Sequence, residues 1–321
     1  MLKSTVAALL ILVIFACTKN PLSDISVDDF HPEAQVGIYT VSQSECALMR
    51  YRKIIKSDSP VGCERLRKVV FNFFPISSRL MRSTFALDSL YRSIPPPSSG
   101  IRQRAANNVV PHPKGAVIVL DVVAGEVLNL FGELYRLKFP IKSAIPIEYF
   151  SQQERVTEDM NNTLAFDSRF ITNETRWSEH AYGVAIDINP IQNPYLDIEN
   201  TSRAEVIPRD ATEGYLNRAK YRVGKPVRVG MTEDVALVFA KHGFAVWGGD
   251  WNTPIDYMHF QVGSRQFIDY LVALPLEGAK VLFRRYVSQL NQCLEMGGAR
   301  NDAALLRKSC VEEVTAAFEP Q

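Results

Sequence analysis

Histidine is scarce in this 321-residue chain: His31, His112, His180, His242 and His259 are all there is. Chemistry that needs an imidazole therefore has few places to reside. Neither sign of charge is in excess, with Lys+Arg 36 against Asp+Glu 35 and a formal net charge of +1. That leaves no basic surplus for nucleic-acid binding and no acidic tail. Gly 17 and Pro 18 are ordinary, which excludes collagen-like and wholly disordered chains. The five cysteines include no Cys-x-x-Cys pair, which argues against a thiolate zinc cluster. No apolar run approaches the roughly 20 residues that a bilayer-spanning helix needs. What is present is a 46% hydrophobic chain, enough for one large domain or two modest ones with full cores.

The first residues speak to location. Lys3 gives a positive start, and Val6 to Ala16 is an unbroken run of small and apolar residues. Such a run is too short to span a bilayer and suits the apolar core of a signal peptide. It ends Ile14-Phe15-Ala16-Cys17, which resembles the bacterial lipobox, in which the cysteine is lipidated and becomes the mature N-terminus. Thr18 follows, not the aspartate associated with inner-membrane retention, so the resemblance implies a periplasmic protein lipid-anchored to the outer membrane. An exported chain meets oxidising conditions. Cys46, Cys63, Cys293 and Cys310 allow three pairings. The equal spacings favour Cys46–Cys63 and Cys293–Cys310.

Hydrophobic patterning divides the rest. Residues 1–17 read as the signal, 18–45 as a tether, 46–113 as a helical module and linker, 114–263 as the main domain and 264–321 as a helical extension. Leu66, Val69, Val70 and Phe73 fall at helical spacing. The prolines of 94–113 block continuous helix, and His112 among them reads as a loop residue. Ala116–Leu120 is a buried strand candidate, and apolar residues from Val123 to Leu137 form one helical face. Strands are expected at 144–149, 183–189, 244–247 and 257–262. A helix is expected over 233–242, capped by Thr232 and ended by Gly243. The order of elements predicts an α+β fold with an antiparallel sheet.

Two segments carry chemistry. One is Ser178-Glu-His180-Ala-Tyr-Gly183-Val-Ala-Ile-Asp187; the other is Trp247-Gly-Gly-Asp-Trp251 followed by Asp256-Tyr-Met-His259-Phe260. His180, Asp187 and His259 would supply the three nitrogen and oxygen ligands of a catalytic zinc with one position open for water. Asp256 precedes His259 by three residues and can reach the same cleft as a base if the segment turns. Glu179 is a weaker base candidate, and His242, at a helix end, reads as structural. Each element also has an ordinary reading: a surface histidine, a turn-capping aspartate, a glycine turn among core aromatics.

Taken together, Ser-x-His-x-x-Gly-x-Ala-x-Asp, Trp-Gly-Gly-Asp-Trp and Asp-x-x-His-Phe resemble the zinc D-alanyl-D-alanine carboxypeptidase family. The L-alanyl-D-glutamate endopeptidase-like group is the nearest branch, with VanY-type carboxypeptidases as relatives. The resemblance covers roughly Lys114 to Val262. It implies the compact α+β fold shared with the hedgehog signalling domain, one zinc per chain on His180, Asp187 and His259, and a base at Asp256. VanY-like members carry glutamate where this chain has Asp256. The family's upstream arginine corresponds to Arg169, whose planar fork suits a substrate carboxylate or developing oxyanion; related sequences often read Asn-Cys-Arg where this one has Asp167-Ser168-Arg169. Ser178 is expected to hydrogen-bond near the metal and substrate. The implied substrates are peptidoglycan stem peptides, cut by a carboxypeptidase or an endopeptidase. The alternative is a zinc-containing lipoprotein that binds the cell wall without turnover.

Overall fold

The computed structural model describes residues 21–76, 113–151, 154, 161–171, 174–198, 204–297 and 302–318. The signal segment with Cys17, and most of the proline-rich linker with His112, lie outside them. Among the described residues no helix is long and apolar enough to cross a membrane.

The chain opens with strand β1 (Gly37–Thr40) and helix α1 (Gln43–Tyr51). A reciprocal capping box of Ser42 and Glu45 starts that helix. Strand β2 (Leu66–Asn72) then pairs antiparallel with β1 on one side and with β4 (Lys114–Leu120) on the other. This corrects the helical reading at residues 66–72; residues 46–51 do lie in α1, and 77–92 fall outside the described residues. A central strand is covered on both faces, so Leu66, Val69, Val70 and Phe71 are all buried. Their near-continuous apolar run imitates helical spacing. The boundary expected at 113/114 also falls beside a β ladder that joins the two sides. Lys68, in the same strand, is buried between Glu33 and Glu45.

Helix α2 (Ala124–Arg136) lies on this sheet, and the Phe131 ring stacks on Phe71 with centroids 3.6 Å apart. The strand expected at 144–149 is instead a loop ending in a 3-10 turn at Ile147–Tyr149. The Asn162 side chain takes both the N–H and the C=O of Ile145 (3.0 and 2.9 Å), so that residue has no backbone group left for a ladder. The real strand here is the shorter β5 (Pro140–Ile141), parallel to β3 (Phe74–Pro75).

Two further antiparallel sheets build the functional side. One is β6 (Ala185–Asp187), β11 (His259–Gln261) and β9 (Val246–Trp247), in that order. The other is β10 (Ile255–Asp256), β7 (Tyr195–Asp197) and β8 (Glu205–Ile207). The helix expected over 233–242 is a 3-10 turn, Thr232–Asp234, followed by α3 (Ala236–Lys241). Thr232 does not cap it, because its hydroxyl donates to the Tyr257 carbonyl at 2.8 Å. His242 follows α3 and is clamped between Glu126 (2.8 Å) and Glu133 (3.1 Å) of α2. Both carboxylates raise its pKa above the usual value, against the opposing effect of burial.

Helices α4 (Arg265–Ala273), α5 (Leu276–Met296) and α6 (Ala303–Ala316) complete the chain. Their Phe267, Phe283, Leu290 and Val311 join the same buried cluster as Val117, Phe131, Ile186 and Phe260. The expected α+β class holds, with small antiparallel sheets flanked by helices. Cys46 of α1 is bonded to Cys63, and Cys293 of α5 to Cys310 of α6.

Candidate metal centre

The sheet register sets the first two ligands. His259 of β11 lies directly opposite Asp187 of β6, so both side chains leave the same face. His259 Nδ1 is 3.1 Å from Asp187 Oδ1. His180 arrives from the 3-10 turn Glu179–Tyr182 just before β6. Gly183 makes that arrival possible. Its φ of +69° belongs to the left-handed region, and a Cβ there would lie 2.6 Å from the Leu120 nitrogen. The turn thus packs on the end of β4 and swings His180 over the strand. His180 Nε2 ends 3.2 Å from Asp187 Oδ2 and 3.1 Å from His259 Nδ1.

The outer nitrogens of both rings are held. His180 Nδ1 donates to the Ala165 carbonyl at 2.5 Å, which directs the lone pair of Nε2 inward. His259 Nε2 donates to Gln261 Oε1 at 2.8 Å, which does the same for Nδ1. One ligand atom from each of His180, Asp187 and His259 lies within 4.8 Å of the others. An imidazole–carboxylate–imidazole donor set with both imidazoles oriented from behind fits zinc.

The charges are strongly coupled. Burial works against an ionised Asp187, but the two histidines outweigh it and hold the carboxyl below its usual range. Burial likewise opposes a charged His259, and the Asp187 carboxylate overrides it, raising that imidazole to about 9. Asp256 behaves oppositely. Burial, reinforced by the negative charge of Asp187, pushes its carboxyl up to about 6. Its Oδ1 is buried with no hydrogen-bond partner in the protein, as suits an oxygen that takes a proton from a reacting group. Gly248 permits this placement, since a Cβ there would fall 2.4 Å from the Asp256 carbonyl oxygen.

Arg169 is half-exposed, with Nε 3.5 Å from Asp167, and its charge acts on both Asp256 and Tyr195. Its backbone carbonyl accepts from Ser178 N (3.0 Å), tying it to the His180 turn. Ser178 itself is only 4% exposed and caps that turn by accepting the His180 N–H at 3.3 Å. It thereby holds the backbone of the turn that carries His180. Glu179 is committed to Arg265 (2.6 Å) and is not free to act as a base. Trp251, half-exposed, sets its ring 5.5 Å from that of His259 and walls one side of the centre.

The sequence reading missed Gln261 and the Ala165 carbonyl as orienting groups. Strand alternation holds a signal for Gln261, which stands two residues from His259 on the same face. The Ala165 carbonyl has no sequence signal. Because groups that hydrogen-bond the back of a metal-binding imidazole typically matter about 10–100-fold in metal affinity, Gln261→Ala should weaken zinc binding by about that factor without unfolding the protein. Competition with a chromogenic chelator measures this; unchanged affinity would show that Gln261 does not orient the ring.

Residues 172–262 match the family model described as D-alanyl-D-alanine carboxypeptidase. No curated protein and no solved structure matches the chain. The match begins just after Arg169, contains His180, Asp187, Asp256 and His259, and stops before α4. On this match, residues 172–262, which hold the His180–Asp187–His259 group, are similar to the D-alanyl-D-alanine carboxypeptidase family, and the α+β arrangement is consistent with it.

Proposed function

We propose that the protein is a zinc metallopeptidase that hydrolyses an amide bond in peptidoglycan stem peptides, as a carboxypeptidase or an endopeptidase. The observation that carries this reading is the orientation of the two imidazoles, each held from behind so that its free nitrogen faces Asp187. Bound there, zinc supplies a Lewis acid that polarises a carbonyl and acidifies water.

His180, Asp187 and His259 hold the ion. Asp256 accepts the proton of the attacking water and passes it to the leaving amine. Its raised pKa suits both halves of that transfer, since a base that is too weakly basic cannot take the proton and one too strongly basic cannot return it. Arg169 stands at the exposed edge, where its guanidinium pairs with a substrate carboxylate or with the developing oxyanion. The test is zinc content together with release of amine from a synthetic stem peptide. A protein that binds zinc and muropeptides but hydrolyses no stem peptide would instead be a binding lipoprotein.

Lipid anchorage through Cys17, with the domain in the periplasm at the outer membrane, would place this activity beside its substrate. Labelled palmitate should enter the wild-type chain and not Cys17→Ser. Equal labelling of the two would remove the anchor from the proposal.

A further inference from the structure

The helices that follow the matched segment reach back to the site. Arg307 of α6 is buried, 6% exposed, and grips Asp250 with a forked pair of bonds: Nη2 to both carboxylate oxygens at 2.7 Å and Nε to Oδ2 at 3.2 Å. Asp250 closes the 3-10 turn Gly248–Asp250, which packs directly on Asp256 through Gly248. The same guanidinium lies over the Trp247 ring, 5.5 Å from its centroid. Trp247 Nε1 donates to the carbonyl of Tyr257 at 2.9 Å, the residue next to Asp256. Two separate contacts of one arginine therefore converge on residues 256–257. Cys310, one turn further along α6, is bonded to Cys293 of α5, which fixes the helix that carries Arg307.

We infer that Arg307 is a positioning residue for the hydrolytic site: through Asp250 and Trp247 it sets the place of the Asp256 carboxylate, and the C-terminal helices are part of the active-site support. A planar, permanently charged fork holds its partner in one orientation, as a lysine does not. The inference rests on the proposed hydrolytic role of Asp256. It requires that the two partners act as one unit, so their substitutions do not multiply.

The experiment uses the full chain and four variants: Arg307→Met, Asp250→Asn, their double variant and Arg307→Lys. Each is assayed for kcat, KM, zinc content and backbone amide exchange. Displacing a catalytic group by about 1 Å from a remote site can cost about 100-fold. The expected result is a fall in kcat of about 10–100-fold for Arg307→Met and Asp250→Asn, with KM and zinc content unchanged. The double variant should be no slower than the slower single one, and Arg307→Lys should be intermediate. Amide exchange should rise over residues 248–258 and not elsewhere. His242→Gln, which breaks a different buried ion pair, should lower Tm and leave kcat alone.

Wild-type kcat in Arg307→Met, multiplying losses in the double variant, or exchange that rises evenly over the whole chain would each overturn the inference. If Arg307→Met does not fold, the exchange pattern of Arg307→Lys decides. If the wild type hydrolyses no stem peptide, the hydrolytic reading fails on its own. The exchange pattern then still reports whether Arg307 sets the 248–258 segment, and no change there overturns that too.

Discussion

Asp256→Asn should keep one zinc per chain and its fold while hydrolysing a stem peptide about 10²–10⁴-fold more slowly than wild type. The substitution preserves shape and removes the proton acceptor. Nothing in the protein hydrogen-bonds Asp256 Oδ1, so the change breaks no bond at that oxygen. The His180–Asp187–His259 group makes its contacts without Asp256, so metal binding is expected to survive. The loss corresponds to about 3–5 kcal/mol of barrier, the usual contribution of general acid–base catalysis. Zinc content beside kcat checks it. A wild-type rate would place the base elsewhere. Glu179 is a poor substitute, since its carboxylate is held by Arg265 at 2.6 Å.

His259→Ala should behave differently, losing metal and activity together. It removes one of three ligands and strips Asp187 of one of the two imidazoles that stabilise its charge. Two ligands do not make a closed catalytic site of the usual three-residue kind. Elemental analysis after dialysis should find little zinc, and hydrolysis should fall to background. Stoichiometric zinc in this variant would remove His259 from the ligand set. The contrast with Asp256→Asn separates holding the ion from using it.

The His180–Asp187–His259 group is legible in the sequence because spacing and residue type carry it. With five histidines in the chain, His180 ahead of a strand that ends in aspartate, and His259 behind Asp256, are easy to find. Gly183 was legible for a backbone reason, and its positive φ is what turns His180 over the strand. The strand at 66–72 was not legible. Its burial on both faces erased the alternation by which half-buried strands are read. Residues 144–149 do not form the expected strand, and the backbone groups of Ile145 go to Asn162, which no local pattern signals. Ser178 caps the turn that carries His180, a position that favours serine for backbone reasons alone. The pairing of Arg307 with Asp250 has no sequence signal: the two are far apart along the chain, and no local pattern joins them.

The most direct measurement is mass spectrometry of purified muropeptides incubated with the full chain, with a chelator, and with zinc restored after chelation. The account predicts a product in which one stem-peptide amide has taken up water, absent with the chelator and regained with zinc. Product formation that persists without metal, or no product from zinc-loaded protein, would contradict it.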